Sequence, residues 1–160
     1  KHIDELPINY AGLLFEHGEK ATADIYNRHV DGLYDGYAAQ ARFALAGSAL
    51  SPLLALRPLS SSLARTDMAA HRHFLAQAEA YRYQTVQALN RDIKLNRKPG
   101  MREYATDVAA ITRGIAFAPQ PLALGELLPR TVLPFAALAG WVAGALLLMR
   151  LAARRLEGAA

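Results

Sequence analysis

His71 and His73, with Asp67 four residues before the first, are the side chains of this chain best suited to ligate a metal. Imidazole and carboxylate both bind zinc, and on a helix Asp67 and His71 share a face. His73 does not join them, because a step of two residues turns it about 160° from His71. Two ligands do not close a site, and neither His-x-x-x-His nor Glu-x-x-His spacing occurs. Asp67, His71 and His73 are therefore metal candidates only with a partner distant in sequence, and histidines on a helix surface are the simpler reading. Ser60-Ser61-Ser62 could supply a nucleophile, but no Gly-x-Ser-x-Gly elbow surrounds it, and a helix N-cap before Leu63 is expected instead. No glycine-rich phosphate loop appears. The absence of cysteine excludes disulfides, thiol catalysis and cysteine-bound zinc. No catalytic residue and no cofactor is expected: the sequence does not read as an enzyme.

The elements that would carry any function are dominated by one C-terminal stretch. From Thr131 to Met149 nineteen residues pass without a charge, bracketed by Arg130 and Arg150. As a helix this run spans roughly 28 Å, close to the hydrocarbon thickness of a bilayer. A buried helix of a soluble core rarely lacks a polar face for that length, so a transmembrane helix over 131–149 is expected, with Trp141 inside it. Ala137, Gly140 and Gly144 lie near one face and are candidates for close helix packing.

The flanks orient this span. Arg150, Arg154 and Arg155 follow it within six residues, whereas Arg130 alone is close on the other side, with Glu126 nearby. The excess of basic residues belongs in the cytoplasm. The expected topology is a cytoplasmic tail at 150–160, a linker at 122–130 and an extracytoplasmic domain at 1–121, periplasmic in a bacterium with its span in the inner membrane. The chain opens on Lys1 without a secretory signal pattern, so an earlier membrane segment in a multi-pass parent is expected.

Helix dominates the rest. Residues 6–16 read as an irregular stretch or a short helix. From Thr22, a plausible N-cap, Tyr26, Val30, Leu33, Tyr37, Ala41 and Ala44 recur at helical steps. Ala46-Gly47-Ser48 reads as a stop, and the prolines at 52 and 58 predict a bent connector over 48–62 with a short helical piece between them. A second long helix is expected from Thr66 to Asn96, stopped by Pro99-Gly100. A shorter helix or loop follows over 101–113, and Pro119-Gln120-Pro121 precedes the span. No strand-like alternation occurs. The predicted class is all-α: two long helices in an extracytoplasmic domain, then one transmembrane helix.

Charge is uneven. Residues 1–40 hold three basic against seven acidic side chains, and residues 41–113 eleven against five. Mutual attraction of the two segments within one fold explains this better than nucleic acid, since the basic residues lack interleaved aromatics.

Two segments carry a resemblance. Leu6-Pro-Ile-Asn-Tyr-Ala-Gly-Leu-Leu-Phe-Glu-His-Gly-Glu19, with Tyr26-Asn-Arg-His-Val30 and Leu33-Tyr-Asp-Gly-Tyr37, is one. Ser51-Pro-Leu-Leu-Ala-Leu-Arg-Pro-Leu-Ser60, Leu63-Ala-Arg-Thr-Asp67, His71-Arg-His-Phe74 and Ala78-Glu-Ala-Tyr-Arg82 make the other. Together they resemble an uncharacterised domain of permease subunits in bacterial type-2 ABC exporters. That pattern favours glycine where Arg65 stands and a further histidine where Ala70 stands. The resemblance implies an extracytoplasmic domain between the last two membrane helices, with no assigned catalytic residues. It implies as partners an ATP-binding subunit, other permease helices or a second permease subunit, and the lipid bilayer. A membrane-anchored periplasmic sensor or adaptor is the alternative.

Overall fold

The structure, a computed structural model, describes residues 9–98, 101 and 103–158. Among these the protein is all-α, as the sequence predicts. Helix α1 (Tyr10–Ala46) leads into a single 3₁₀ turn (Gly47–Ala49) and then α2 (Pro52–Leu63). Helices α3 (Met68–Asn96), α4 (Val108–Thr112) and α5 (Leu124–Glu157) follow. Residues 6–8 of the opening stretch, the Pro99-Gly100 stop and the last two residues of the tail lie outside the described residues.

Two compact units divide the chain. One takes the described residues up to Tyr34 together with Phe74–Gln120, the other Asp35–His73 together with the chain from Pro121 onward. Residues 35–73, which the sequence suggests belong with an extracytoplasmic domain, thus group with α5.

In the first unit α1 begins earlier than expected. The Asn9 side chain accepts hydrogen bonds from the N–H groups of Ala11 at 3.0 Å and Gly12 at 3.3 Å, so Asn9 is the cap. Thr22 lies mid-helix: no proline interrupts residues 10–46, and a capped start lets one helix run through. The apolar stripe that makes the periodicity visible is largely exposed, with Tyr26, Leu33 and Tyr37 all open to solvent. What α1 buries near its start is a line of small and acidic residues: Gly12 and Ala23 buried, Glu16 and Glu19 half-buried between them. Gly12 matters because the backbone of Lys94 on α3 passes directly against it. Asn9 N–H donates to the Lys94 carbonyl at 2.7 Å, tying the start of α1 to the end of α3.

The segment after α4 folds back on α3 through a polar and an aromatic clasp. Gln77 donates to the Gln120 carbonyl at 2.9 Å and accepts from the Gln120 N–H at 2.7 Å. Phe117 meets Phe74 edge-on at 5.8 Å and Tyr81 at 5.4 Å, arrangements favoured by the ring quadrupoles. Asp107 caps the short α4 by accepting from Ala110 N–H.

In the second unit the short helical piece expected between the prolines is longer: α2 starts at Pro52 and runs through Pro58 to Leu63. Pro52 occupies its first turn, where a missing N–H costs nothing. Pro58 sits inside the helix and leaves the Leu54 carbonyl without its usual donor. Burial along α2 follows Ala55 and Ser62, with Pro58 and Leu59 half-buried between them. On α5 it follows Leu127, Thr131 and Pro134. These are the lines along which the two helices pack. Residues 124–130, expected as linker, are the first turns of α5.

The joint between α2 and α3 is a Schellman turn. Thr66 N–H donates to the Ser61 carbonyl at 2.9 Å and Arg65 N–H to the Ser62 carbonyl at 3.0 Å. Arg65 takes a left-handed φ of 55°. This is the position where the resembled domain favours glycine, and the cost to an L side chain there explains that preference. Arg65→Gly is expected to stabilise the second unit by about 1 kcal/mol. A rise in the melting temperature of the full chain in detergent checks this; a fall would place the residue elsewhere than at a left-handed cap.

Candidate functional site

The apolar length of α5 is the feature most apt to act. Its 34 residues are long and apolar enough to cross a membrane, and after Pro134 none of them is buried. Thr131, at the start of the uncharged run, is buried, and its hydroxyl donates to the Leu128 carbonyl at 2.8 Å. Trp141 donates from its indole N–H to the Ser48 carbonyl at 2.8 Å. Met149 is 66% exposed, and Arg150, Arg154 and Arg155 are exposed along the final turns.

Burial separates the small residues. Ala137 is half-buried and continues the line that faces α2, whereas a Cβ built on Gly140 or Gly144 meets nothing within 4 Å. The packing face of α5 is therefore covered by α2 up to about Trp141 and open beyond it among the described residues. Two arginines, Arg154 and Arg155, lie in the last turn, where they complement the negative end of the helix dipole.

Polar side chains of the first unit are arranged as clamps. Arg82 bridges two carboxylates, reaching Glu19 at 2.6 Å and Glu79 at 2.7 Å, and its Nε donates to Glu79 at 2.8 Å. Lys94 pairs with Glu16, and Gln87 donates to the Glu16 carbonyl at 3.0 Å. The Lys94 ammonium holds the Glu16 carboxyl below the usual carboxylate range, and Arg82 does the same for Glu79. The Tyr104 hydroxyl donates to Asp92 at 2.7 Å, lowering that carboxyl and raising the phenol. Two of these contacts join the oppositely charged segments: Glu16 and Glu19 of α1 meet Lys94 and Arg82 of α3.

The clamps fix a pH dependence. A carboxylate whose folded pKa is depressed contributes stability above its unfolded pKa, and loses it as pH falls through the folded value. The melting temperature of the first unit is expected to hold level from pH 7 to about 5 and to drop below about 4, the ordinary carboxylate range. Helical circular dichroism against temperature checks this, and a midpoint unchanged at pH 3 would remove the clamps from the account.

Asp67 has a structural task. One carboxylate oxygen accepts from the Ala70 N–H at 2.9 Å, which caps α3, and the other accepts from the Ser62 hydroxyl at 2.8 Å. The serine run does not cap a helix before Leu63. It forms the last turn of α2, with Ser62 buried and spent on Asp67. His71 is exposed and His73 half-buried. Among the described residues no three His, Asp or Glu side chains gather closely enough to hold a metal ion.

The sequence pattern of one family, described as a domain of unknown function (DUF3526), matches residues 1–118. No curated protein and no solved structure matches the chain.

Proposed function

We propose that this chain, which belongs to the DUF3526 family, is the extracytoplasmic domain and final membrane helix of an ABC-type exporter permease. The observation that carries the membrane part is the surface of α5. Val142, Leu146, Leu147 and Leu148 are each more than half exposed on a helix of membrane length. Each such side chain left in water forgoes roughly 1.5–3 kcal/mol of burial, which a bilayer would supply. The arginines at 150, 154 and 155 support a cytoplasmic C-terminus by the positive-inside rule. The exporter part is supported by the resemblance of residues 6–37 and 51–82 to the permease-associated domain.

On this reading the protein performs no bond chemistry. A separate ATP-binding subunit shifts the membrane helices between two packings, and the clamped α1–α3 pair is a stiff element on the outer face. Open Gly140 and Gly144 would receive a neighbouring permease helix.

The test is mass spectrometry of what co-purifies with the intact polypeptide from gently solubilised native membranes. A stoichiometric ATP-binding subunit whose ATPase rate depends on this chain is the expected result. A signalling protein in its place, or reproducibly nothing, would overturn the exporter reading in favour of an anchored sensor or adaptor.

A further inference from the structure

We infer that residues 43–56, the end of α1, the 3₁₀ turn and the start of α2, form a re-entrant hairpin seated in the lipid bilayer beside α5, with Trp141 fastening its tip. The inference rests on the reading of α5 as a membrane span.

Phe43 to Leu56 is an uncharged run of fourteen residues between Arg42 and Arg57. It is too short to cross a bilayer, which takes about 20 residues, and falls in the length range of re-entrant and interfacial segments. The chain also reverses inside it, at Gly47–Ala49. Three of its large side chains are mostly uncovered: Phe43 is 84% exposed, Leu50 86% and Leu53 69%. The only tryptophan of the chain meets the turn.

Backbone polarity points the same way. Non-helical backbone at membrane depth must be satisfied by protein. Here Leu50 N–H donates to the Gly47 carbonyl at 2.9 Å, and Leu54 N–H to the Ser51 carbonyl at 3.2 Å. Ser48 is buried, and its carbonyl takes the Trp141 indole N–H. Trp141 stands one residue from the midpoint of the 131–149 run, so the tip reaches the bilayer centre. From there α2 returns along the Pro134, Thr131 and Leu127 side of α5. That path carries Arg57 back toward the level of Arg130, where long side chains extend to the headgroups.

The natural absence of cysteine makes the test direct. Single cysteines carrying a nitroxide would replace Leu50, Leu53, Leu146 and Lys20 in the full chain, in vesicles of phosphatidylethanolamine and phosphatidylglycerol. The readout is the ratio of collisional relaxation by oxygen to that by a polar nickel chelate. Ratios at Leu50 and Leu53 are expected to match Leu146 and to exceed Lys20 severalfold. Ratios at 50 and 53 like that at Lys20, with Leu146 still lipid-exposed, would overturn the hairpin and leave the α5 span standing. A water-exposed Leu146 would remove the span and the hairpin together. Trp141→Phe keeps the ring and removes the N–H; it is expected to lower the Leu50 ratio severalfold while Leu146 holds. An unchanged Leu50 ratio would overturn the fastening role.

Discussion

Replacing Gly12 by valine is expected to part α1 from α3 and cost the first unit about 3 kcal/mol. A Cβ at this position would come within 2.8 Å of the Lys94 Cβ and closer still to the Lys94 backbone. Backbone cannot yield as a flexible side chain does, so the helices must separate. Separation breaks the Asn9–Lys94 backbone hydrogen bond and draws Lys94 from Glu16. Against a typical total stability of about 5–15 kcal/mol, such a loss is a large share. Gly18 supplies the contrast. It lies on the same helix, and a Cβ there meets nothing within 4 Å. Gly18→Ala is therefore expected to stabilise by up to about 1 kcal/mol through helix propensity and reduced unfolded-state freedom. Thermal melts of both variants in detergent check the pair. A Gly12→Val midpoint equal to that of the parent would show that α3 does not press on α1 at this point.

The same two glycines show why α1 was only partly legible in the sequence. Large side chains at helical spacing, Tyr26, Leu33 and Tyr37 among them, announced a helix, and a helix is there. Its contact face, however, is set by a glycine and two carboxylates that carry no hydrophobic signal. The opening stretch was harder still, since Asn9 caps α1 only because nothing in the next 37 residues stops it. The full length of α2, as against a short piece between its prolines, was missed for a related reason. Pro58 argues for a break in isolation, yet packing of Ala55 and Ser62 on α5 outweighs one lost backbone bond. Tertiary partners of that kind cannot be read from local spacing. What was legible rests on strong local physics: the uncharged run of α5, the start of α3 within two residues, and the Gly47 stop.

The candidate site divided in the same way. Length and hydropathy disclosed α5, while Asp67 and Ser62, two of the polar residues that looked chemical, bond to each other at the joint between α2 and α3. Asp67 and Ser62 face each other because a left-handed residue at Arg65 closes the turn between their helices. The spacing of five residues between them matches no helical rule, so no pattern search would pair them. The clamps at Glu16–Lys94 and Glu19–Arg82 were visible only as opposite net charges in two segments. The uneven charge suggested that these segments attract; in the structure the start of α1 meets the middle of α3 at Arg82 and its end at Lys94.

Placing a charge in the middle of α5 has the other large expected effect, and it acts on the membrane rather than on packing. Val142 is 60% exposed and two residues from the centre of the 131–149 run. Valine favours insertion slightly, and arginine at a helix centre opposes it by about 2.5–3.5 kcal/mol. The sum corresponds to roughly a hundredfold shift away from the inserted state. Because position 142 lies beyond the buried line Leu127, Thr131 and Pro134, the substitution leaves the packing of α2 on α5 intact. Val142→Arg is therefore expected to deplete the chain from carbonate-washed membranes while the helical content of the recovered protein is kept. Leu156→Arg, beyond the uncharged run and beside Arg155, is expected to leave membrane retention unchanged. Equal retention of both variants would mean that α5 is held by protein and not by lipid. That outcome would move its exposed leucines from a bilayer contact to a protein interface.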